Sequence, residues 1–166
     1  RVMLVEIMGR NAGWLALTSG LASGADAILI PEIPYDLDAI CEYCLKRNRY
    51  GKSFTIIAVS EGAKPRDGEQ TVDRVVAGSP DPIRLGGVSN VLCRQIEDAT
   101  RLECRATILG HVQRGGTPVP ADRVLGTLFG HRALDLALNG QFNEVVVSQN
   151  GRITSVPIES VAGQQR

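Results

Sequence analysis

Short apolar runs alternate along the chain with segments in which apolar residues recur at helical spacing. The short runs are rich in Val, Ile and Leu and are bounded by glycine, proline or polar residues, which is typical of buried strands. We predict strands at residues 1–8, 27–30, 54–60 and 105–109. Because helical segments lie between these strands, the chain reads as repeated strand–helix units.

Four segments have the periodicity of amphipathic helices. The apolar faces predicted for them are Trp14, Leu17 and Leu21; Leu37, Ile40, Cys41, Cys44 and Leu45; Val88, Val91, Leu92, Ile96 and Ala99; and Val124, Leu125, Leu128 and Phe129. The first helix is expected over residues 12–23, with Gly24 as its stop signal. Asp36 is suited to cap the second helix and Asp122 the fourth, which we expect to run to about Asn139.

The remaining segments complete the predicted architecture. Residues 63–82 are polar and interrupted by Gly and Pro, so we predict a long surface loop. Strand-like runs at 144–148 and 153–156 flank Asn150-Gly151, the preferred pair for a type I′ hairpin. The predicted class is α/β, a Rossmann-like mainly parallel sheet covered by helices on both faces, with a C-terminal hairpin.

Composition narrows the class of partner. Lys plus Arg and Asp plus Glu number 18 each, which gives no reason to expect a nucleic acid or an acidic membrane. No apolar run reaches the ~18 residues that span a bilayer. Cys41 and Cys44 form a C-x-x-C pair, but both fall on a helix's apolar face, so we favour buried free thiols over a metal or redox site. Free thiols suit a cytoplasmic protein.

Polar residues follow each predicted strand. The strands end at Met8-Gly9-Arg10, Pro31-Glu32, Ser60-Glu61 and Gly110-His111, with Arg114 close behind. In an open parallel sheet these carboxyl ends lie along one edge, where ligands bind. Cationic donors for a phosphate and a carboxylate for hydroxyl groups would suit a phosphorylated polyol. The residues alone do not decide whether His111 and Arg114 bind an anion or are an ordinary surface pair.

Two motifs in the sequence resemble those of the 6-phosphofructokinases. GHVQRGG at residues 110–116, followed by Asp122 and Arg123, is similar to the family's signature run. VEIMGRNAGW at residues 5–14 is similar to its Met-Gly-Arg turn between a strand and a helix. The resemblance covers nearly the whole chain but only the later half of the family's catalytic unit. It identifies residues 1–166 as the sugar-phosphate-binding portion of a larger phosphofructokinase unit.

The resemblance implies roles at the sugar for residues of the Met-Gly-Arg motif and for Glu61. Arg10 corresponds to the catalytic arginine near the transferred phosphoryl group. Met8 and Gly9 correspond to residues that contact the sugar, and Glu61 to the carboxylate that accepts hydrogen bonds from its hydroxyls.

The resemblance also implies how the phosphate is held. His111 and Arg114 correspond to the pair that binds the 6-phosphate. Arg1 and Arg105 correspond to arginines that reach the same phosphate of a neighbouring subunit's substrate. The chain starts at Arg1 inside a strand-like run, so we expect it to be a fragment, with the donor-binding half and the catalytic base upstream.

The implied reaction is glycolytic. It transfers a phosphoryl group from ATP, with Mg²⁺, to the 1-hydroxyl of fructose 6-phosphate, in a homodimer or homotetramer; the Mg²⁺ ligands are not expected in this chain. Pyrophosphate is the alternative donor, because the Met-Gly-Arg-Asn-Ala-Gly-Trp run resembles a bacterial branch that contains users of both. Two other hypotheses stay open. One is a non-catalytic sugar-phosphate-binding domain, which is what the isolated and inactive fragment would be. The other is an α/β domain with an assembly role.

A second site is suggested by bacterial relatives, in which an effector binds between subunits. The matching positions here are Gly24, Asp26 and Lys52. Asp26 stands where the relatives have glutamate, and Tyr50 where they have lysine. Both departures argue against control by a nucleotide.

Overall fold

Parallel strands flanked by helices dominate the first two thirds of the chain. The computed structural model describes residues 1–75, 77 and 82–163. In chain order the elements are β1 (Val2–Ile7), α1 (Trp14–Ser23), β2 (Ala27–Leu29), α2 (Leu37–Arg49), β3 (Thr55–Ser60), β4 (Val72–Val75), β5 (Ile83–Leu85), α3 (Val88–Thr100), β6 (Cys104–Ile108), α4 (Pro120–Leu138), β7 (Glu144–Gln149) and β8 (Arg152–Pro157), with 3₁₀ turns at Gly110–Arg114 and Ile158–Ser160. The chain forms two compact units, residues 1–114 and 115–166, and each is described by itself.

The sheet of the first unit is parallel, with strand order β2-β3-β1-β6. Side chains of β1 alternate between its two faces: Val2 and Leu4 pack in a cluster with residues of α3, whereas Ile7 packs with Ala16 of α1. Helices therefore lie on both faces, and the predicted α/β class is confirmed. Ile7 pairs with Ser60, so the carboxyl ends of β1 and β3 are level. The predicted ends of the strands and of α1 differ from the observed ones by at most two residues, as expected for frayed termini.

The buried face of α1 differs from the prediction. Trp14 is 64% exposed and Leu21 is 68% exposed, while Ala16 and Gly20 are the buried residues of the helix. A Cβ atom at Gly20 would lie 2.8 Å from Ile28, so the helix approaches β2 through its small side chains. The periodicity of large apolar residues was therefore the wrong guide here, because the close approach of α1 to β2 leaves room only for small residues on that face.

The second helix follows the prediction closely. Asp36 caps it by accepting a hydrogen bond from the backbone N–H of Ala39 at 3.1 Å. Cys41 and Cys44 are buried in the core beneath it, and both are free thiols. Burial raises the pKa of Cys44 to about 11, so this thiol stays protonated at neutral pH.

Residues 63–82 are not a plain loop. They contain β4, which pairs antiparallel with β5 just after the segment. The prediction missed this pair because β4 is only four residues long and exposed throughout, so it has no buried face to produce a pattern. Within the predicted loop, Val76 and residues 78–81 lie outside the described residues.

The second unit consists of α4 and the β7–β8 hairpin. Asn150 and Gly151 both have positive φ, 51° and 75°, as a type I′ turn requires, so the predicted hairpin is confirmed. The N-cap of α4 is Val119 rather than the predicted Asp122, which lies in the first turn and accepts a hydrogen bond from the N–H of Val119 at 3.1 Å. The described part of the chain contains no helix long and apolar enough to cross a membrane.

The predicted buried face of α4 is wrong for this unit. Val124, Leu125 and Leu128 are 44–60% exposed, and Phe129 is only half-buried. Leu136, near the end of the helix, is its buried residue. The spacing identified an apolar stripe correctly, but a pattern in one helix does not show whether the surrounding chain covers that stripe.

Candidate functional site

Three loops meet at the carboxyl edge of the parallel sheet. The turn after β1 carries Gly9 and Arg10, the end of β3 carries Glu61, and the 3₁₀ turn Gly110–Arg114 follows β6. Hydrogen bonds between side chains and backbone join all three, although their residues lie 51–105 positions apart in sequence. The convergence that the strand ends predicted is therefore present in the fold.

Glu61 binds the turn after β1 directly. Its Oε1 atom accepts hydrogen bonds from the backbone N–H groups of Arg10 at 2.9 Å and of Gly9 at 3.2 Å. Two amides pointing at one carboxylate oxygen form a small anion-binding arrangement, here satisfied from within the chain. Glu61 thereby fixes the backbone that carries Arg10.

Arg10 has an unusual backbone, with φ of 50° in the left-handed region. Its guanidinium donates from Nη2 to the carbonyl oxygen of Ile83, on β5, at 3.1 Å. Gly62 passes so close that a Cβ atom there would overlap the carbonyl oxygen of Arg10. The strained backbone is thus held by packing and hydrogen bonds from two neighbouring segments, as is common at functional sites.

The GHVQRGG run places its two candidate phosphate donors, His111 and Arg114, on one side. Residues 110–114 form a 3₁₀ turn, in which residues three apart lie one above the other. His111 and Arg114 are three apart, and both are exposed. Within the described residues neither side chain forms a hydrogen bond or an ion pair, so both can donate to an external anion.

Gln113 connects this turn to β1. Its Oε1 atom accepts a hydrogen bond from the backbone N–H of Met8 at 2.9 Å. Sequence reasoning gave Gln113 no role, although it stands between the two predicted phosphate donors, His111 and Arg114. Its place inside the motif was the only available signal.

A second unassigned residue, Glu6, lies on β1, two residues before Met8. It is 2% exposed, and its two carboxylate oxygens accept hydrogen bonds from the N–H groups of Gly87 and Ser89, each at 2.9 Å. These amides are at the start of α3, where a negative charge is favoured. A glutamate inside the apolar run of residues 1–8 was a signal that the sequence analysis left unused.

Glu32, the fourth predicted strand-end group, has a local partner. It accepts a hydrogen bond from the N–H of Gly13 at 2.8 Å. A Cβ atom at Gly13 would overlap Ile30, so this contact fixes the start of α1 close against the end of β2. Glu32 therefore organises the first helix.

Arg1 and Arg105 lie at the opposite edge of the sheet, at the start of β1 and β6. Both pair with Glu103, at 2.7 Å in each case. The hydrogen bond from Arg105 and the charge of Arg1 lower the pKa of the Glu103 carboxyl below its ordinary value. The structure brings these two arginines together, but not with His111 and Arg114.

Comparison with known proteins decides the family. Residues 1–137 match the family described as "Phosphofructokinase". The chain belongs to the phosphofructokinase family. The resemblance drawn from the two motifs is thereby confirmed.

Relatives with both donor types are similar to this chain. It is 48% identical over 167 residues to the "ATP-dependent 6-phosphofructokinase 2" of Clostridium perfringens, covering 100% of this chain and 46% of that protein. It is 47% identical over 158 residues to the "Pyrophosphate--fructose 6-phosphate 1-phosphotransferase" of Streptomyces coelicolor, covering 95% and 46%. The chain thus spans less than half the length of these phosphofructokinase relatives.

The fold agrees with a solved phosphofructokinase. The structure of the enzyme from Saccharomyces cerevisiae superimposes with a TM-score of 0.78 at 35% identity, covering 96% of this chain and 20% of that one. The likeness supports the α/β fold and the presence of the C-terminal hairpin described above.

The effector positions predicted from bacterial phosphofructokinases have structural surroundings of their own. Asp26 forms an ion pair with Arg47 at 2.7 Å and accepts a hydrogen bond from the N–H of Ile56 at 2.8 Å. Gly24 ends α1 with φ of 70°, and Lys52 is exposed. An effector role for Gly24, Asp26 and Lys52 stays a prediction.

Proposed function

We propose that residues 1–166 are the sugar-phosphate-binding portion of a larger phosphofructokinase unit. The complete protein would transfer a phosphoryl group from ATP to the 1-hydroxyl of fructose 6-phosphate, giving fructose 1,6-bisphosphate, the glycolytic reaction. The observation that carries the proposal is the junction of the Arg10 turn, Glu61 and the His111–Arg114 turn at one edge of the sheet. The free thiols suit a cytoplasmic enzyme.

The 6-phosphate would bind to the 3₁₀ turn. Arg114 offers a fork of donors that matches two phosphate oxygens, and His111 adds a donor on the same side of the turn. Gly115 and Gly116 follow at once, and Gly116 has φ of 88°. Glycines there allow a ligand to approach the backbone closely.

The sugar would lie over the turn after β1. Oε1 of Glu61 is engaged by the amides of Gly9 and Arg10, which leaves its Oε2 atom to accept hydrogen bonds from sugar hydroxyls. Met8 and Gly9 would contact the sugar, and Arg10 would stabilise charge on the transferred phosphoryl group. Positioning and charge stabilisation are most of what a protein contributes to phosphoryl transfer.

A second copy of the chain would complete the phosphate site. Arg1 and Arg105 stand at the amino edge of the sheet, and a six-residue strand such as β1 spans about 20 Å. That separation exceeds the reach of an arginine side chain, so neither can help His111 in the same protomer. We therefore propose a homodimer or homotetramer in which the two arginines serve a neighbour's substrate.

The relatives of this chain differ in the phosphoryl donor for which they are named. One similar protein is named for ATP and another for pyrophosphate, at nearly equal identity. Pyrophosphate is therefore our second candidate. We place the choice, and the catalytic base, in the half of the unit that relatives carry upstream.

Mg²⁺ would enter with the phosphoryl donor. In residues 1–75, 77 and 82–163 no group of three or more His, Cys, Asp and Glu is arranged to hold a metal. Alone, residues 1–166 would bind the sugar phosphate without transferring a phosphoryl group.

The test is an assay of the complete polypeptide that carries this chain, with fructose 6-phosphate and either ATP or pyrophosphate in the presence of Mg²⁺. We expect fructose 1,6-bisphosphate with at least one donor and no turnover by residues 1–166 alone. Absence of product with both donors would contradict the proposal.

A further inference from the structure

We propose that Gln113 is a positioning residue that holds the 6-phosphate turn and the Arg10 turn at a fixed separation. The inference rests on the proposed function and extends it to a residue without an assigned role. Its direct basis is the 2.9 Å hydrogen bond from the Met8 N–H to Gln113 Oε1.

The 3₁₀ turn explains why Gln113 is available for this contact. At three residues per turn, successive side chains are about 120° apart, so His111 and Arg114 share a side and Gln113 points elsewhere. Gln113 points toward β1, where it meets the backbone of a residue 105 positions away. One short turn thus presents two hydrogen-bond donors, His111 and Arg114, to a ligand and the Gln113 amide to the rest of the site.

Met8 needs an acceptor from outside the sheet. The strand pairing of β1 ends at Ile7, so the amide of Met8 is the first one beyond the ladder. The next two amides, of Gly9 and Arg10, donate to Glu61. Consecutive N–H groups of the turn therefore depend on two side chains, each from a different loop.

The chemistry favours a neutral acceptor at position 113. Glu61 already places a carboxylate at this turn, and a second one beside Arg114 would repel a phosphate dianion. A glutamine offers the same oxygen without the charge. A phosphate held by the 3₁₀ turn would then keep a defined distance from Arg10, which is what in-line transfer requires.

The experiment compares Gln113→Met, Gln113→Glu and the control Gln95→Met in the complete polypeptide. Gln95 is exposed on α3, and no hydrogen bond of its side chain is recorded in the described residues. The measurements are kcat with saturating fructose 6-phosphate, and the Kd for fructose 6-phosphate by calorimetry. Met has nearly the length of Gln, but its thioether sulfur is a much weaker acceptor for the Met8 N–H than the amide oxygen.

We expect Gln113→Met to lower kcat about 10–100-fold, since a displacement of about 1 Å can cost that much, while Kd changes less than about threefold because the phosphate donors remain. Gln113→Glu keeps an acceptor, so kcat should stay within about threefold of wild type, while the added charge raises Kd in a salt-sensitive way. Gln95→Met should match wild type in both.

Two outcomes of the kinetic and binding measurements would overturn the inference. One is wild-type kcat in Gln113→Met; the other is a raised Kd with unchanged kcat, which would make Gln113 a direct ligand contact. If Gln113 acted only in folding, Gln113→Met would lower the unfolding temperature, and kcat and Kd would change together. That result would also contradict a positioning role. An inactive wild-type protein would instead refute the proposed function, so the two failures are distinguishable.

Discussion

The Oε1 atom of Glu61 lies 2.9 Å from the backbone nitrogen of Arg10. The same oxygen also accepts from Gly9, and no hydrogen bond within the described residues reaches Oε2. One carboxylate can therefore shape the turn with one oxygen and contact a ligand with the other. Under the proposed function, this dual use would let one acidic residue at the end of β3 serve both the sugar and the Arg10 turn.

Glu61→Gln is predicted to lower kcat/KM by about 10²-fold, because the amide oxygen can satisfy the turn only by turning its NH₂ group toward the sugar. Glu42→Gln, at an exposed position of α2, is the matched control and should leave kcat/KM unchanged. The measurement is steady-state kinetics of the complete polypeptide. Wild-type kcat/KM in Glu61→Gln would show that Oε2 does not meet the sugar.

Gly62→Ala is predicted to displace the Arg10 backbone, since the new Cβ would overlap its carbonyl oxygen. We expect a fall in kcat of at least about tenfold, as small displacements at a reacting centre are costly. Gly126→Ala is the control, because a Cβ there meets nothing within 4 Å and the helix should gain up to about 1 kcal/mol. Equal activities of the two variants would contradict the close approach of Gly62 to Arg10.

Glu6→Gln is predicted to destabilise the fold by about 1–3 kcal/mol, because one of the two amides at the start of α3 then faces an NH₂ group in a buried position. The check is urea denaturation, with Glu42→Gln expected within about 0.5 kcal/mol of wild type. Identical midpoints for the two variants would mean that the Glu6 carboxylate does not cap α3.

The buried thiol of Cys44 is predicted to resist alkylation. Its pKa of about 11, against an ordinary value near 9.0, means that the folded state holds the proton more tightly than the unfolded state. At pH 8 roughly one molecule in a thousand carries the thiolate, so the alkylation rate of folded protein should keep rising from pH 8 to 11. Mass spectrometry after iodoacetamide treatment would measure it. A rate that levels off near pH 9 would contradict the burial of Cys44.

Local signals in the sequence predicted local structure well. Asp36 capped its helix, and Asn150-Gly151 formed its hairpin turn, because each depends on a few neighbouring atoms. The rule that parallel strands end along one edge correctly predicted that Arg10 and Glu61 lie close together. These predictions needed only chain direction and residue type.

Contacts between distant segments could not be predicted in the same way. The acceptor of the Met8 amide is Gln113, and no local pattern joins residues 105 positions apart. The predictions for the exposed strand β4 and for the exposed stripe of α4 failed for a related reason. Hydrophobic periodicity indicates which residues are buried only when other parts of the protein pack against the element. The side chains that position the site, as distinct from those that would touch substrate, were therefore the ones missed.

The most direct test of the central claim is the affinity of the complete polypeptide for fructose 6-phosphate and for fructose, measured by calorimetry for wild type and Arg114→Ala. If the 3₁₀ turn holds the 6-phosphate, wild type binds fructose 6-phosphate far more tightly than fructose. Arg114→Ala then loses about 1.5–3 kcal/mol of that binding, which is about 10–150-fold in Kd. Equal affinity for the two sugars, or an Arg114→Ala variant that binds fructose 6-phosphate as tightly as wild type, would contradict the account.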